Sequence, residues 1–448
     1  MILSALSSKI SFVSAYRRRA WLLLVLFLTC LFLAGCSDDA EEGRELISDY
    51  GIYGETIAMN LALQFPLRKA YSAEERAAGQ FIKKEFEALG YSVEETSFFS
   101  SEGGRASYNY SVRVEGTGFM TPDTDGNYKK TRRTVIVGAH YDTVYGVDDK
   151  EEAGNFSGIH DNAAGIGALL SIAKELKTEK ALPYDVILVA FGAGAPVDTE
   201  PAGARSFLLR MTMDERASVD AMYCIDGIYA GDKLYASAGW NSLEKNMKYE
   251  KRRKLYEFYD VVYEYMLSSP ANAYSDIYYN QSGLTLDVNG DGTEDVYREV
   301  TLTRSDYAPF DDAGIPIVFV ESFDYNYSSV EAMKETKNLL LQEHGGFVRN
   351  TKLDSTTPLA KAFESKRLEN RINAVAFSIV KAIVKGSHDS VSVPDYEAGQ
   401  RVAETVSVTS VTSVARPGQT TAASTSESTT EIPETTAAPS DEEPETDD

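Results

Sequence analysis

The chain has 448 residues, of which 43% are hydrophobic and 11% aromatic, and its formal charge is −24. That apolar content can fill the core of one large or two ordinary domains, which excludes a mini-protein and a wholly disordered chain. Three cysteines, Cys30, Cys36 and Cys224, exclude a disulfide scaffold, and the acidic balance excludes a nucleic-acid surface, which needs clustered Lys and Arg.

In chain order, residues 1–35 read as an export signal. Lys9, Arg17, Arg18 and Arg19 lead an apolar run from Trp21 to Leu33, and Leu33-Ala34-Gly35-Cys36 follows as a bacterial lipoprotein cleavage box. The run is short for a bilayer span of about 20 residues. Cleavage would make Cys36 the lipidated first residue and hold the mature chain on the outer face of the cytoplasmic membrane. Residues 36–45 read as a solvated linker, 46–386 as a single domain and 387–448 as a disordered acidic tail. Ser, Thr, Pro and Glu dominate that tail, and no aromatic residue occurs beyond Tyr396.

Within the domain, Ser72-Ala-Glu-Glu75 predicts a capping box, and Ala78, Phe81, Ile82, Phe86 and Leu89 recur at helical spacing. Residues 134–139, 184–191, 221–226 and 315–321 are short apolar runs suited to central strands buried on both faces. Helical stretches are predicted at 163–180, 203–213, 243–267 and 366–385. The alternation indicates an α/β domain with a twisted, mostly parallel mixed sheet flanked by helices.

In such sheets the loops leaving the carboxyl ends of the strands converge on one crevice. The first apolar run ends in His140-Tyr141-Asp142, the next loop carries His160-Asp161-Asn162, and the third run ends in Asp226. One imidazole and two carboxylates from His140, Asp161 and Asp226 suit zinc, and Asp142 can orient the His140 ring. Cys224 reads as inert core, and His160 as a loop residue or a substitute ligand.

These segments, GAHYDTV, HDNAAGIGALLSIAKEL, VILVAFGA, the Asp of YCID and SDYAPFDDAGIPIVFVE, resemble in order the motifs of the zinc aminopeptidase family. That family lies in the wider clan that includes the glutaminyl cyclases. The resemblance runs from about Glu55 to Lys385. It implies an eight-stranded mixed sheet flanked by helices and removal of N-terminal residues from peptides with two zinc ions. It also implies one zinc held by His140, Asp161 and Asp226. The Glu-Glu pair that should supply the general base and a second-zinc ligand reads Gly194 and Ala195 here, and the final His reads Tyr307. A phenol with a reference pKa near 10 is a poor metal ligand at neutral pH, and Gly and Ala offer no base. Two carboxylates in the longer following loop, Asp198 and Glu200, are candidate substitutes.

Two further signals stand apart. Asp287, Asn289, Asp291, Thr293 and Asp295 alternate as in a calcium loop, but Arg298 stands where a bidentate Glu is required, leaving a hairpin turn as the other reading. Tyr256, Tyr259, Tyr263 and Tyr265 could line a peptide rim or edge an amphipathic helix. The expectation is an extracytoplasmic lipoprotein, impaired in catalysis, that binds peptides or protein N-termini around one zinc ion or serves as a scaffold. The alternative is an active two-zinc aminopeptidase that draws its base from the 196–200 loop.

Overall fold

A computed structural model of the chain describes residues 50–100, 104–195, 200–239, 249–268, 277–279, 285–286, 295–296, 301–326 and 332–401. The signal, Cys36, Asp198 and most of the calcium-loop candidates lie outside these. Of that loop only Asp295 is placed, in the strand Asp295–Val296, which pairs antiparallel with Thr285–Leu286.

The sheet has eight strands: β1 (Glu94–Phe99), β2 (Ala106–Val114), β3 (Thr134–His140), β4 (Asp185–Phe191), β5 (Val219–Ile225), β6 (Lys233–Ser237), β7 (Ile277–Tyr279) and β8 (Ile317–Phe323). Their order is β1-β2-β4-β3-β5-β8-β6-β7. The central four, β4, β3, β5 and β8, are parallel to one another. The flanking pairs β1–β2, β2–β4 and β8–β6 are antiparallel, whereas β6–β7 is parallel.

The central strands are apolar on both faces because two separate cores cover them. Val135, Val137 and Ala139 of β3 and Val186, Leu188 and Ala190 of β4 join the larger core. The alternate residues Ile136, Ile187, Val189 and Phe191 join the smaller one, as period-two geometry requires. The helices α1 (Tyr50–Gln64), α2 (Ala73–Ala88), α3 (Ala164–Leu176), α5 (Tyr249–Ser268) and α6 (Arg367–Lys385) supply the larger core. The smaller core is closed by α4 (Ala202–Arg210) and the short helix Ala308–Asp312. Cys224 is buried in that smaller core with its thiol 3.7 Å from Ser305 Oγ.

The start of α2 is capped as Ser72 predicts: its hydroxyl accepts from the Glu75 amide at 3.0 Å. The carboxylate of Glu75 is used differently from the expected reciprocal cap. It accepts from Ser107 Oγ at 2.6 Å and from the amides of Tyr71 at 2.5 Å and Ala193 at 3.0 Å. A residue expected to serve its own helix therefore also fixes the turn after β4.

The boundary expected at residue 387 falls later. Ser387 is buried, and Val391–Ser392 forms a strand antiparallel to Phe119–Met120. A buried ionic knot draws this segment in: Lys254 Nζ of α5 meets Asp220 at 2.5 Å, Glu257 at 2.7 Å, the Tyr184 hydroxyl at 2.8 Å and Ser387 Oγ at 3.1 Å. Of the tyrosines on α5, Tyr259 is core, its hydroxyl donating to the carbonyls of Ala236 and Tyr278 at 2.7 Å each. Tyr263 is exposed.

Candidate metal centre

His140 is the last residue of β3, and Asp226 follows β5 directly, so the parallel strands deliver both to the same end of the sheet. Asp161 comes from the turn Ile159–Ala163 that leads into α3, across the cis peptide Asp161–Asn162. Asn162 fastens that turn to the end of β5. Its Nδ2 donates to the Ile225 carbonyl at 2.8 Å, and its Oδ1 accepts from the amides of Gly165 at 3.1 Å and Gly227 at 3.2 Å. Asp354 receives the amides of His160 and Asp161 at 2.7 and 3.0 Å. Beneath them the fully buried Arg68 gathers the carbonyls of Phe65, Tyr141, Ser157 and Gly158, which ties the loops on either side of the ligands together.

The result is a cluster of three buried donors whose ligand atoms all lie within 4.8 Å of one another. His140 Nε2 stands 3.0 Å from Asp161 Oδ1 and 3.6 Å from Asp226 Oδ1. A tetrahedral ion with bonds of about 2.0–2.1 Å sets its ligand atoms about 3.3 Å apart, so these separations bracket what one zinc ion needs. Asp161 Oδ1 is buried without a hydrogen-bond partner, an orphan acceptor aimed at that point. The donor set therefore fits one divalent cation. Asp142 stands 3.4 Å from His140 Nδ1, where a proton must sit if Nε2 is to offer its lone pair. The same carboxylate accepts the amides of Gly194 at 2.7 Å and Ala195 at 3.1 Å.

The electrostatics follow from this crowding. Burial alone would lower the His140 pKa, but the Asp142, Asp161 and Asp226 carboxylates outweigh it and hold the imidazolium well above its ordinary value. Burial likewise works against ionised Asp226, and the cations Arg349 and His140 overcome it to hold its pKa far below the usual carboxylate range. Asp306 goes the other way. Burial, opposed by His140 and reinforced by Asp226, Asp142 and Asp161, pushes its carboxyl up to about 8, and neither oxygen has a hydrogen-bond partner.

The remaining candidates do not assemble around this point. Tyr307 is fully buried in the smaller core, its ring 4.8 Å from that of Phe319 and its hydroxyl donating to the Thr303 carbonyl at 2.7 Å. Its phenol is committed to a core contact. Glu200 is ion-paired with Arg205 of α4. Gly194 offers no room for a side chain, since a Cβ there would lie 2.4 Å from His140 Cβ and 2.8 Å from Asp306 Oδ1. His160 is no substitute ligand: Nδ1 accepts from the Tyr229 and Ala230 amides at 3.3 and 3.2 Å, and Nε2 meets Glu335 at 3.3 Å.

Sequence reasoning missed Arg349. Its Nη1 lies 2.7 Å from Asp226 Oδ1 and 3.6 Å from Asp161 Oδ1, and its Nε lies 3.3 Å from Glu335. The signal that could have found it is electrostatic. Buried carboxylates at successive strand ends demand a buried cation, and the lone basic residue in the GGFVRNT segment is one candidate.

An eight-stranded α/β sheet with a His-Asp-Asp centre at the carboxyl ends of its parallel strands defines a zinc-aminopeptidase-like domain. Residues 123–338 match the model of peptidase family M28. The chain is 23% identical over 350 residues to the alkaline phosphatase isozyme conversion protein of Escherichia coli, covering 75% of this chain and 92% of that one. Among solved structures, an Acidobacteriales bacterium glutaminyl cyclase aligns with a TM-score of 0.51 at 16% identity, covering 77% of this chain and 97% of that one. The zinc aminopeptidase BSAP from Bacillus subtilis gives a TM-score of 0.49 at 13% identity, covering 78% and 98%. At 16% identity the likeness to the cyclase is one of fold.

Proposed function

We propose that this protein is an extracytoplasmic lipoprotein whose peptidase-like domain binds peptides or protein N-termini around a single zinc ion and does not hydrolyse them. The observation that carries this reading is the closure of position 194. A Cβ 2.4 Å from the neighbouring His140 Cβ has no place to go, so the turn that carries the family's paired carboxylates is filled by backbone and by the ligand histidine itself. Ala195, the other position of that pair, has a methyl group and no proton acceptor. Glu200, the described member of the substitute pair, is engaged by Arg205.

His140, Asp161 and Asp226 would hold the ion, Asp142 would keep the ring in the right tautomer, and Arg68 and Asn162 would fix the loops that present them. Zinc would supply a Lewis acid able to polarise a ligand carbonyl. With no carboxylate at positions 194 and 195 and Glu200 paired to Arg205, polarisation alone gives binding and orientation. The Escherichia coli relative is named for a conversion of alkaline phosphatase isozymes, which supports a protein as the ligand. Export and anchoring through Cys36 rest on the leader sequence. Calcium at Asp287, Asn289, Asp291, Thr293 and Asp295 is a separate proposal that rests on spacing alone.

The test is made on the purified full-length chain loaded with zinc and offered a panel of aminoacyl chromogenic substrates and short peptides. Peptide binding that requires zinc, with no release of N-terminal residues, is the expected result. Zinc-dependent turnover that disappears in Asp161→Ala would overturn it in favour of an active aminopeptidase.

A further inference from the structure

Arg349 does not sit at the centre by accident of a flexible side chain. Glu335 clamps it from below, accepting the amides of Val348 at 2.5 Å and Arg349 at 2.9 Å on one oxygen and meeting Arg349 Nε at 3.3 Å on the other. Glu335 is itself fixed by His160, whose ring is held by two backbone amides on its far side. The space for the guanidinium is made by Gly227, which has φ +61° and where a Cβ would lie 2.1 Å from Arg349 Nη2. The side chain is only 16% exposed, and Asp161 and Asp226 are 3% exposed. Two buried carboxylates this close need cations to remain ionised.

We propose that Arg349 is a resident cation of the metal centre. It shares Asp161 and Asp226 with one metal ion and sets a fixed positive charge against those carboxylates. It also keeps the centre folded when no metal is present. The inference rests on the one-zinc reading above and assigns to Arg349 and its clamp Glu335 a role in setting zinc affinity.

Two consequences follow from charge alone. A fixed positive group a few ångströms from the ion opposes zinc binding, so removing it tightens binding. Removing it also leaves the metal-free carboxylates uncompensated, so the same change weakens the apoprotein and makes its stability depend on zinc.

The experiment compares full-length wild type, Arg349→Gln, Arg349→Lys and Glu335→Gln by zinc titration calorimetry and by thermal unfolding with and without zinc. Wild type should bind one ion. Arg349→Gln should bind zinc about tenfold more tightly or better, unfold at lower temperature without metal, and recover on adding it. Arg349→Lys should stay near wild type, and Glu335→Gln, which leaves the Arg349 charge less neutralised, should shift affinity the opposite way from Arg349→Gln, to weaker binding. Equal zinc affinity in wild type and Arg349→Gln, or a loss of stability that zinc does not repair, would make Arg349 a packing residue and overturn the proposal. Should Arg349→Gln fail to fold even with zinc, an unchanged affinity in Glu335→Gln would overturn it instead. Two ions in wild type would overturn it as well. Absence of zinc binding in every variant would remove the metal centre and this inference together. Peptide turnover by a one-zinc wild type would remove only the non-hydrolytic reading.

Discussion

Replacing Arg68 by Met tests whether the centre is held from beneath. The guanidinium is fully buried and donates to four carbonyls, at 2.5 Å for Tyr141, 3.0 Å for Phe65, 2.9 Å for Ser157 and 2.8 Å for Gly158. Burial lowers its pKa to about 10, against the pull of Asp354, Asp142 and Asp161, so it remains charged at neutral pH. Methionine fills much of the same volume but offers no donor. The carbonyls of Tyr141, Ser157 and Gly158 lose buried partners at about 1–3 kcal/mol each. The nearby carboxylates lose a compensating charge, while the cost of burying the guanidinium is recovered. The net expectation is a loss of about 3–5 kcal/mol, a large share of the roughly 5–15 kcal/mol that holds most folded domains. Urea unfolding of metal-free wild type and Arg68→Met measures this directly. Because Ser157 and Gly158 lead to Asp161 and Tyr141 lies between His140 and Asp142, zinc affinity should fall with stability. Arg68→Lys, with a shorter fork of donors, should fall between the two. A loss under 1 kcal/mol with unchanged zinc affinity would refute the reasoning.

The metal-free protein should lose stability as pH rises from about 5 to 8, because burial and Asp142 push Glu75 up to about 8, and burial pushes Asp354 up to about 7. Both carboxyls keep their protons in the folded state at pH values where the unfolded chain has released them, so the unfolding midpoint in urea should fall across that window, and a flat profile would count against it. Lys254→Met should cost about 1–3 kcal/mol by taking the buried ammonium from Asp220 and Glu257, which keep Arg253 at 3.1 and 3.2 Å, and limited proteolysis near Ser387 should reveal a loosened segment. Gly194→Glu should not create peptidase activity and should lower the thermal midpoint, since its Cβ meets His140; hydrolysis by this variant would show that the turn can open. Cys36→Ala should move the protein from the membrane to the soluble fraction of the cell, as judged by fractionation, if the leader is a lipoprotein signal.

Much of the fold was legible because it is written locally. Unbroken apolar runs such as 134–139 mark strands covered on both faces, and the polar residue at the end of each run marks the crevice. The grouping of His140, Asp161 and Asp226 could be read for the same reason, each standing beside a strand end or a helix start. What was not legible acts across the chain. Arg349 reaches Asp226 from 123 residues away, and Arg68 reaches Gly158 from 90, and a single basic residue has no period to betray it. Glu75 was readable as a helix cap, but its bond to Ala193 was not. The segment after 386 was misjudged because composition describes a stretch of chain on its own, whereas Ser387 and Val391 are ordered by partners at Glu257, Lys254 and Met120.

That segment also decides where the domain can be handled. Asp389 is paired with Arg133 at 2.7 Å, immediately before the first residue of β3, while His140 closes the other end of the same strand. Six residue steps of about 3.3 Å put some 20 Å of sheet between the two points. A tether or label joined just after Ser392 would therefore sit at the amino ends of the strands and leave the mouth of the crevice free. Any pull applied there would be met first by the salt links of Arg133, Arg253 and Lys254, before the ligand loops felt it.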